Sequence, residues 1–178
     1  MRFSKYDIDT NIKKAIQELG FNKTTDIQYR VIPAIMRGDD VMAIAQTGTG
    51  KTAAFVIPII QKILLHKRHK RDGPQCLTLV PTRELALQIT KVYNEIAKYV
   101  NINATALIGG LDQDPQISQL QEGTDIVIST PGRMFDLISQ GYIDLSYLYH
   151  LVIDEADLML SRGFLKDIQD VHRKIPKQ

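Results

Sequence analysis

The run Ala45-Gln46-Thr47-Gly48-Thr49-Gly50-Lys51-Thr52 carries the residue types that hold a polyphosphate. Its glycines let the backbone pass close to an anion, Lys51 can reach terminal phosphates, and the Thr52 hydroxyl can ligate magnesium. Ala45 stands where the general motif has its first glycine, a minor departure because alanine is small. A second chemical pair, Asp154-Glu155, closes the apolar run Leu151-Val152-Ile153. An acid at the end of a buried strand suits metal-assisted hydrolysis, since it can hold magnesium through water while a neighbouring polar group positions the attacking water. Asp154 is assigned to magnesium with Thr52, and Glu155 to the water. Alone, an Asp-Glu pair is more often a solvated loop; its co-occurrence with Gly50-Lys51-Thr52 favours the chemical reading.

The elements that must position these residues follow from the apolar pattern. The run 41–45 is a strand candidate entering the phosphate loop, and 53–65 can supply a helix whose positive N-terminal end faces the anion. Upstream, Asp9 or Thr10 caps a helix through about Leu19, where Ile12, Ala15, Ile16 and Leu19 form a stripe and Gly20 ends it. A second helix is expected from about Asp26 to Met36, with Pro33 a local distortion and Gly38 a stop. Downstream the chain alternates: strand 76–80, helix 84–99, strand 104–108, a weaker helix 116–121, strand 125–129, a helix 134–139 and strand 151–154. Short strands rich in Val, Ile and Leu between helices predict a mostly parallel α/β sheet covered on both faces. Right-handed crossovers then bring the strand-to-helix loops to the carboxyl edge, where ligands bind. Those loops hold the phosphate run, Pro81-Thr82-Arg83-Glu84, Thr130-Pro131-Gly132-Arg133 and Asp154-Glu155-Ala156-Asp157. If their strands are neighbours, the acid pair sits beside the end of strand 41–45.

The whole chain bounds these readings. Its 178 residues, 44% of them hydrophobic, suit one domain with a continuous core. No apolar run is long enough to span a bilayer and the first residues lack a signal-peptide pattern, so a cytoplasmic protein is expected, or a nuclear one in a eukaryote. Cys76 is the only cysteine, which excludes an internal disulfide and a cysteine metal cluster. A formal charge of +2 means that nucleic-acid binding must come from local arrangement. The most basic run, Lys67-Arg68-His69-Lys70-Arg71, joins a helix end to a strand start on the amino edge; a solvated turn is the favoured reading, with an auxiliary RNA or partner contact the alternative.

Asp154-Glu155-Ala156-Asp157 spells the name of the DEAD-box RNA helicases, and the sequence resembles that family over nearly its whole length. Phe21, Thr25 and Gln28 resemble the family's adenine-recognition motif. Pro81-Thr82-Arg83-Glu84-Leu85-Ala86 matches its first RNA-contact motif, and Gly109-Gly110 and Thr130-Pro131-Gly132-Arg133 match two more. The resemblance implies a RecA-like P-loop NTPase fold over 1–178, with adenine-recognition helices in 1–38 and an incomplete α/β core in 39–178. It implies ATP and Mg2+ as cofactors, with Gln46, Thr47, Gly48, Thr49, Gly50, Lys51 and Thr52 around the phosphates, and catalysis by Lys51, Asp154 and Glu155. A glutamine amide both donates and accepts, so Gln28 can read an adenine edge while Phe21 packs on the ring; a core aromatic and a surface amide are the plainer alternatives. Arg83 and Arg133, with Pro81, Thr82, Gly109, Gly110, Thr130, Pro131 and Gly132, suit a sugar-phosphate chain held without base reading. Arg83 could instead be a structural residue at a helix start, pairing with Glu84 or a neighbouring loop. Thr24 and Leu111 depart from the proline and threonine usual in the family.

The family also has a Ser-Ala-Thr motif and a second RecA-like domain carrying arginine fingers, neither of which this sequence contains. The expectation is therefore a monomeric amino-terminal half, truncated at its carboxyl end, that binds nucleotide and RNA but does not unwind alone. A GTPase would need an Asn-Lys-x-Asp guanine reader and a small-molecule kinase an arginine-rich lid, and neither is found. A scaffold whose RNA binding ignores ATP remains the competing class.

Overall fold

The computed structural model describes residues 2–46, 48–66 and 73–175; Thr47, the basic run 67–71 and the last three residues lie outside the described residues. The chain forms two compact units, residues 1–67 with 91–102 and residues 68–90 with 103–178.

In the first unit, α1 (Thr10–Glu18) starts at Asp9, whose carboxylate accepts from the Asn11 N–H at 2.7 Å. Such a cap satisfies one of the donors that a helix start leaves without partners. Ile12, Ala15 and Ile16 form its buried face. A second helix, α2 (Asp26–Arg37), opens on Thr25 and runs uninterrupted through Pro33 to Gly38, which has φ +93. It packs with α3 (Lys51–Leu65), whose Ile57, Ile59, Ile60 and Ile63 are buried. Between them the strand expected over 41–45 does not form: the segment has no regular structure, and Met42 and Ile44 are 92% and 93% exposed. A strand needs a hydrogen-bonded neighbour, and no described strand pairs with this run, so its apolar side chains stay in solvent.

The second unit holds a parallel sheet of β1 (Cys76–Leu79), β2 (Ala104–Leu107), β3 (Ile126–Ser129) and β4 (His150–Ile153), in the order β2-β3-β1-β4. Leu79 pairs with Ser129 and Ile153, and Ser129 with Leu107, so all four strands end on one row. Four loops therefore leave a single edge. Leu77, Leu79, Leu107 and Val127 form a core with residues of α6 (Pro131–Ser139), α7 (Ala156–Ser161) and α8 (Leu165–Arg173). On the opposite face Cys76, Thr78, Ile126 and Ile128 are also fully buried, as strands covered on both sides require. The remaining helices are α4 (Arg83–Ile96) and α5 (Asp114–Glu122). Asp154 N–H donates to the Leu79 carbonyl at 3.0 Å, extending the β4–β1 ladder. The acid pair thus stands beside the end of β1, not beside a strand at 41–45. Helices α7 and α8 were not expected, although Phe164, Ile168, Val171 and Ile175 recur at helical spacing and all pack on the core. Among the described residues no helix is long and apolar enough to cross a membrane.

Candidate functional site

The phosphate loop lies in the first unit. Gly48 and Gly50 both have left-handed backbone, φ +79 and +87, which a residue with a β-carbon adopts only at a cost. The Thr49 hydroxyl donates to the Gln46 carbonyl at 2.7 Å and closes the turn. Gly50 is the N-cap of α3, so Lys51 and Thr52 are the first two residues of a helix whose leading N–H groups lack intrahelical partners. Both side chains are half-buried, and Lys51 makes no ion pair among the described residues. Two left-handed glycines, free helix N–H groups and an unpaired ammonium form a donor set that fits phosphate oxygens.

The two glycines differ in surroundings. A β-carbon at Gly48 would meet nothing within 4 Å. At Gly50 it would meet Gln28 Nε2 at 2.5 Å and Thr25 Oγ1 at 3.4 Å. Gln28 is only 4% exposed; its Nε2 donates to the Gly50 carbonyl at 3.2 Å and its Oε1 accepts from the Thr25 N–H at 3.0 Å. Thr25 Oγ1 accepts in turn from the Gln28 N–H, completing a reciprocal capping box. The amide that the sequence directs at adenine therefore ties the start of α2 to the phosphate loop. One hydrogen on its nitrogen and one lone pair on its oxygen lie beyond these bonds. Phe21 is an exposed ring at 38%. Thr47 lies outside the described residues.

The acid pair lies in the second unit. Asp154 Oδ1 accepts from the Glu155 N–H at 3.1 Å. Glu155 is the one non-glycine residue with positive φ among the described residues, at φ 53 and ψ 47. A left-handed residue with a β-carbon costs about 1–2 kcal/mol, and strain of this kind gathers at working sites. No group of three or more His, Cys, Asp or Glu side chains forms a metal cage among the described residues. A single strand-end carboxylate fits magnesium, which takes most of its oxygens from phosphate and water.

Three loops on the same sheet edge hold the remaining motif residues. After β1, Pro81 is buried and Thr82 Oγ1 accepts from the Leu85 N–H at 3.2 Å, capping α4. Arg83, first in α4, is exposed and makes no hydrogen bond or ion pair among the described residues, including with Glu84. Its guanidinium lies against Gly109 and Gly110, which follow β2. After β3, Thr130 is the N-cap of α6 and Pro131 its first residue, a position where the missing N–H does no harm. Arg133 Nη1 donates to Gln113 Oε1 at 3.2 Å, while Arg133 Nε and Nη2 are buried without a partner. The structure thus brings Arg83, Gly109 and Gly110 together and sets Arg133 against the far end of the same loop. Two residues there were not foreseen. Gln113 touches Arg133, and buried Gln116 accepts from the Ile108 N–H at 2.8 Å and donates to the Ile108 and Asp112 carbonyls, clamping the loop. A glutamine in a polar stretch carries no sequence signal for either role.

Comparison with known proteins places this geometry. The family model for the DEAD/DEAH box helicase matches residues 25–178. The chain is 40% identical over 177 residues to "ATP-dependent RNA helicase DeaD" of Buchnera aphidicola subsp. Schizaphis graminum, covering 99% of this chain and 29% of that protein. It is 41% identical over 176 residues to the protein of the same name from Mycobacterium tuberculosis, covering 98% and 31%. The chain thus spans less than a third of the length of these relatives. The crystal structure of a DEAD box protein from the hyperthermophile Methanococcus jannaschii superposes with a TM-score of 0.91 at 36% identity, over 99% of this chain and 47% of that one. The fold is accordingly RecA-like, a parallel sheet with helices on both faces, covering part of a full helicase. The chain belongs to the DEAD-box helicase family and corresponds to its amino-terminal RecA-like domain.

Proposed function

We propose that this chain is the ATP-binding half of an ATP-dependent RNA helicase that unwinds or remodels short RNA duplexes. Residues 46–52 cradle the phosphates, with Lys51 reaching the terminal ones. Phe21, Thr25 and Gln28 select adenine. Thr52 and Asp154 ligate magnesium, in part through water, and Glu155 orients the attacking water. Held by Thr52 and Asp154, magnesium would supply positive charge to offset the negative charge that develops on the phosphate oxygens. Pro81, Thr82, Arg83, Gly109, Gly110 and the turn 130–133 hold the sugar-phosphate backbone of RNA without reading bases. A second RecA-like domain supplies the arginines that stabilise the transferring phosphoryl group, so the 178 residues alone bind nucleotide with negligible unwinding. The reading places the protein in the cytoplasm as a monomer.

The observation that carries this reading is the backbone of Glu155. A carboxylate is kept in a left-handed conformation immediately after Asp154, at the end of a sheet strand, where asparagine or glycine would be less strained. The bacterial relatives, named as ATP-dependent RNA helicases, support the same activity. Glu155→Gln keeps the shape and removes the charge. With this chain joined to a second RecA-like domain, RNA-stimulated ATP turnover should fall about 10²-fold or more while ATP affinity is largely retained. Unchanged turnover refutes the role of Glu155. RNA affinity indifferent to ATP in the same protein favours the scaffold reading.

A further inference from the structure

We infer that Gly110 is a positioning residue whose missing side chain forms the seat of the Arg83 guanidinium, and that the seat orients Arg83 toward an RNA phosphate. The inference rests on the reading of this loop as an RNA contact and adds a division of labour within it. A β-carbon built at Gly110 would have Arg83 Nη1, Cζ and Nη2 as its three nearest atoms, with Cζ and Nη2 at 2.7 Å and Nη1 closer still. At Gly109 the nearest atom is Arg83 Nη2, at an ordinary 3.7 Å. Only one of the two glycines therefore occupies its position because a side chain would collide. The side of Gly110 on which a β-carbon would stand is filled by arginine, so its vacancy serves Arg83 before it serves any ligand.

Arg83 makes no hydrogen bond or ion pair among the described residues, so its contact with Gly110 is one of shape rather than charge. A planar guanidinium packed on backbone keeps its N–H donors available for bidentate contact with phosphate, which a mobile arginine offers only after losing side-chain freedom. Gly110 also has φ +77, so alanine there would add backbone strain to the collision. Asparagine tolerates that region and still carries a β-carbon, so Gly110→Asn fills the seat with less backbone strain. The atoms displaced are the far end of a flexible side chain, so the fold can survive the change while Arg83 moves.

The test is equilibrium binding of fluorescein-labelled oligouridylate to the 178-residue chain at several salt concentrations, with thermal melting as the check on folding. Arg83→Ala should weaken binding about tenfold and reduce the slope of log K against log salt by about 0.7, the contribution of one phosphate on a single strand. Gly110→Asn should reproduce both changes, add nothing in the Arg83→Ala background, and melt as a folded protein. Gly141→Asn, at the same φ of +77 but with open space beyond its β-carbon and no place in the RNA loops, should leave affinity and slope near the parent values. Should Gly110→Asn be too unstable to assay, Arg83→Lys takes its place: it keeps the charge but not the plane, and is expected to lose most of the tenfold. Parent-like binding by Gly110→Asn, or by Arg83→Lys in its stead, overturns the seat, as does an equal loss from Gly110→Asn with and without Arg83. If Arg83→Ala itself changes neither affinity nor slope, the RNA reading of the loop fails and the seat falls with it.

Discussion

Gly50 and Gly110 make a matched pair. Each has a positive φ, and at each a polar side chain from elsewhere fills the space of the missing β-carbon. At Gly50 the visitor is the neutral, buried amide of Gln28, hydrogen-bonded at both ends to backbone. At Gly110 it is an exposed cation with no hydrogen bond among the described residues. The difference separates two uses of one device. A buried polar group bonded to backbone at both ends holds the fold, because removing a partner leaves a desolvated group unpaired, and at Gln28 only one hydrogen and one lone pair are left over for adenine. An exposed charge held only by shape contributes little to folding and is available to a ligand.

The largest expected effect tests the first half of that contrast. Gly50→Ala adds left-handed strain and pushes Gln28 out of the capping box, so its stability loss should be about 2–4 kcal/mol, the sum of a backbone and a capping contribution. Gly48→Ala, with open space beyond its β-carbon, should lose only about 1–2 kcal/mol. Chemical denaturation of the two variants reads the difference directly. Equal losses would mean that the Gln28 contact is incidental, and the contrast with Gly110 would collapse.

A smaller effect of opposite sign is expected at Glu155. Its side chain makes no hydrogen bond among the described residues, and its backbone is strained. Asparagine accepts left-handed φ readily, so Glu155→Asn should raise stability by about 1 kcal/mol while lowering ATP turnover as Glu155→Gln does. A variant less stable than the parent would show that Glu155 serves the fold after all.

The same distinction explains what could be read from the sequence. Strands 76–79, 104–107 and 126–129 were legible because each short apolar run found a parallel neighbour and is largely buried. By contrast, 150–153 pairs with β1 at the edge of the sheet and is only partly covered, with Ile153 39% exposed, so the acid pair follows a half-buried strand and not the buried one expected. The run 41–45 has the same composition and no such neighbour among the described residues, and composition does not encode the presence of a partner strand. The motif glycines and arginines were legible as types, and the loops of the second unit as a common edge. Which glycine holds which side chain was not, because Arg83 and Gly110 meet through tertiary structure across more than twenty residues of chain. Gln113 and Gln116 escaped notice for the same reason, since their partners are fixed by the path of a loop and not by any period.

Glu18 supplies the third case, a charge that is exposed and yet fully partnered. It accepts from Lys98 Nζ at 2.8 Å and Tyr99 Oη at 2.6 Å. The Lys98 bond first and the Tyr99 bond second hold its carboxyl below the ordinary 4.5, and the same Glu18 bond pushes the Lys98 ammonium above its ordinary range. The signs fix the pH window. A depressed carboxyl stabilises the fold fully above its unfolded value and loses that contribution as pH falls through the lower folded value; the raised lysine contributes below its ordinary 10.5 and loses its share only as pH rises through the higher folded one. Solvent screening makes such surface pairs weak, so Glu18→Gln should lower Tm slightly at neutral pH and not at all once the carboxyl is protonated in strong acid. It should leave both nucleotide and RNA affinity unchanged. A parallel loss of RNA affinity would give an exposed, satisfied charge the role reserved above for exposed, unsatisfied ones, and hydrogen bonding would then cease to distinguish the residues that hold the fold from those that await a ligand.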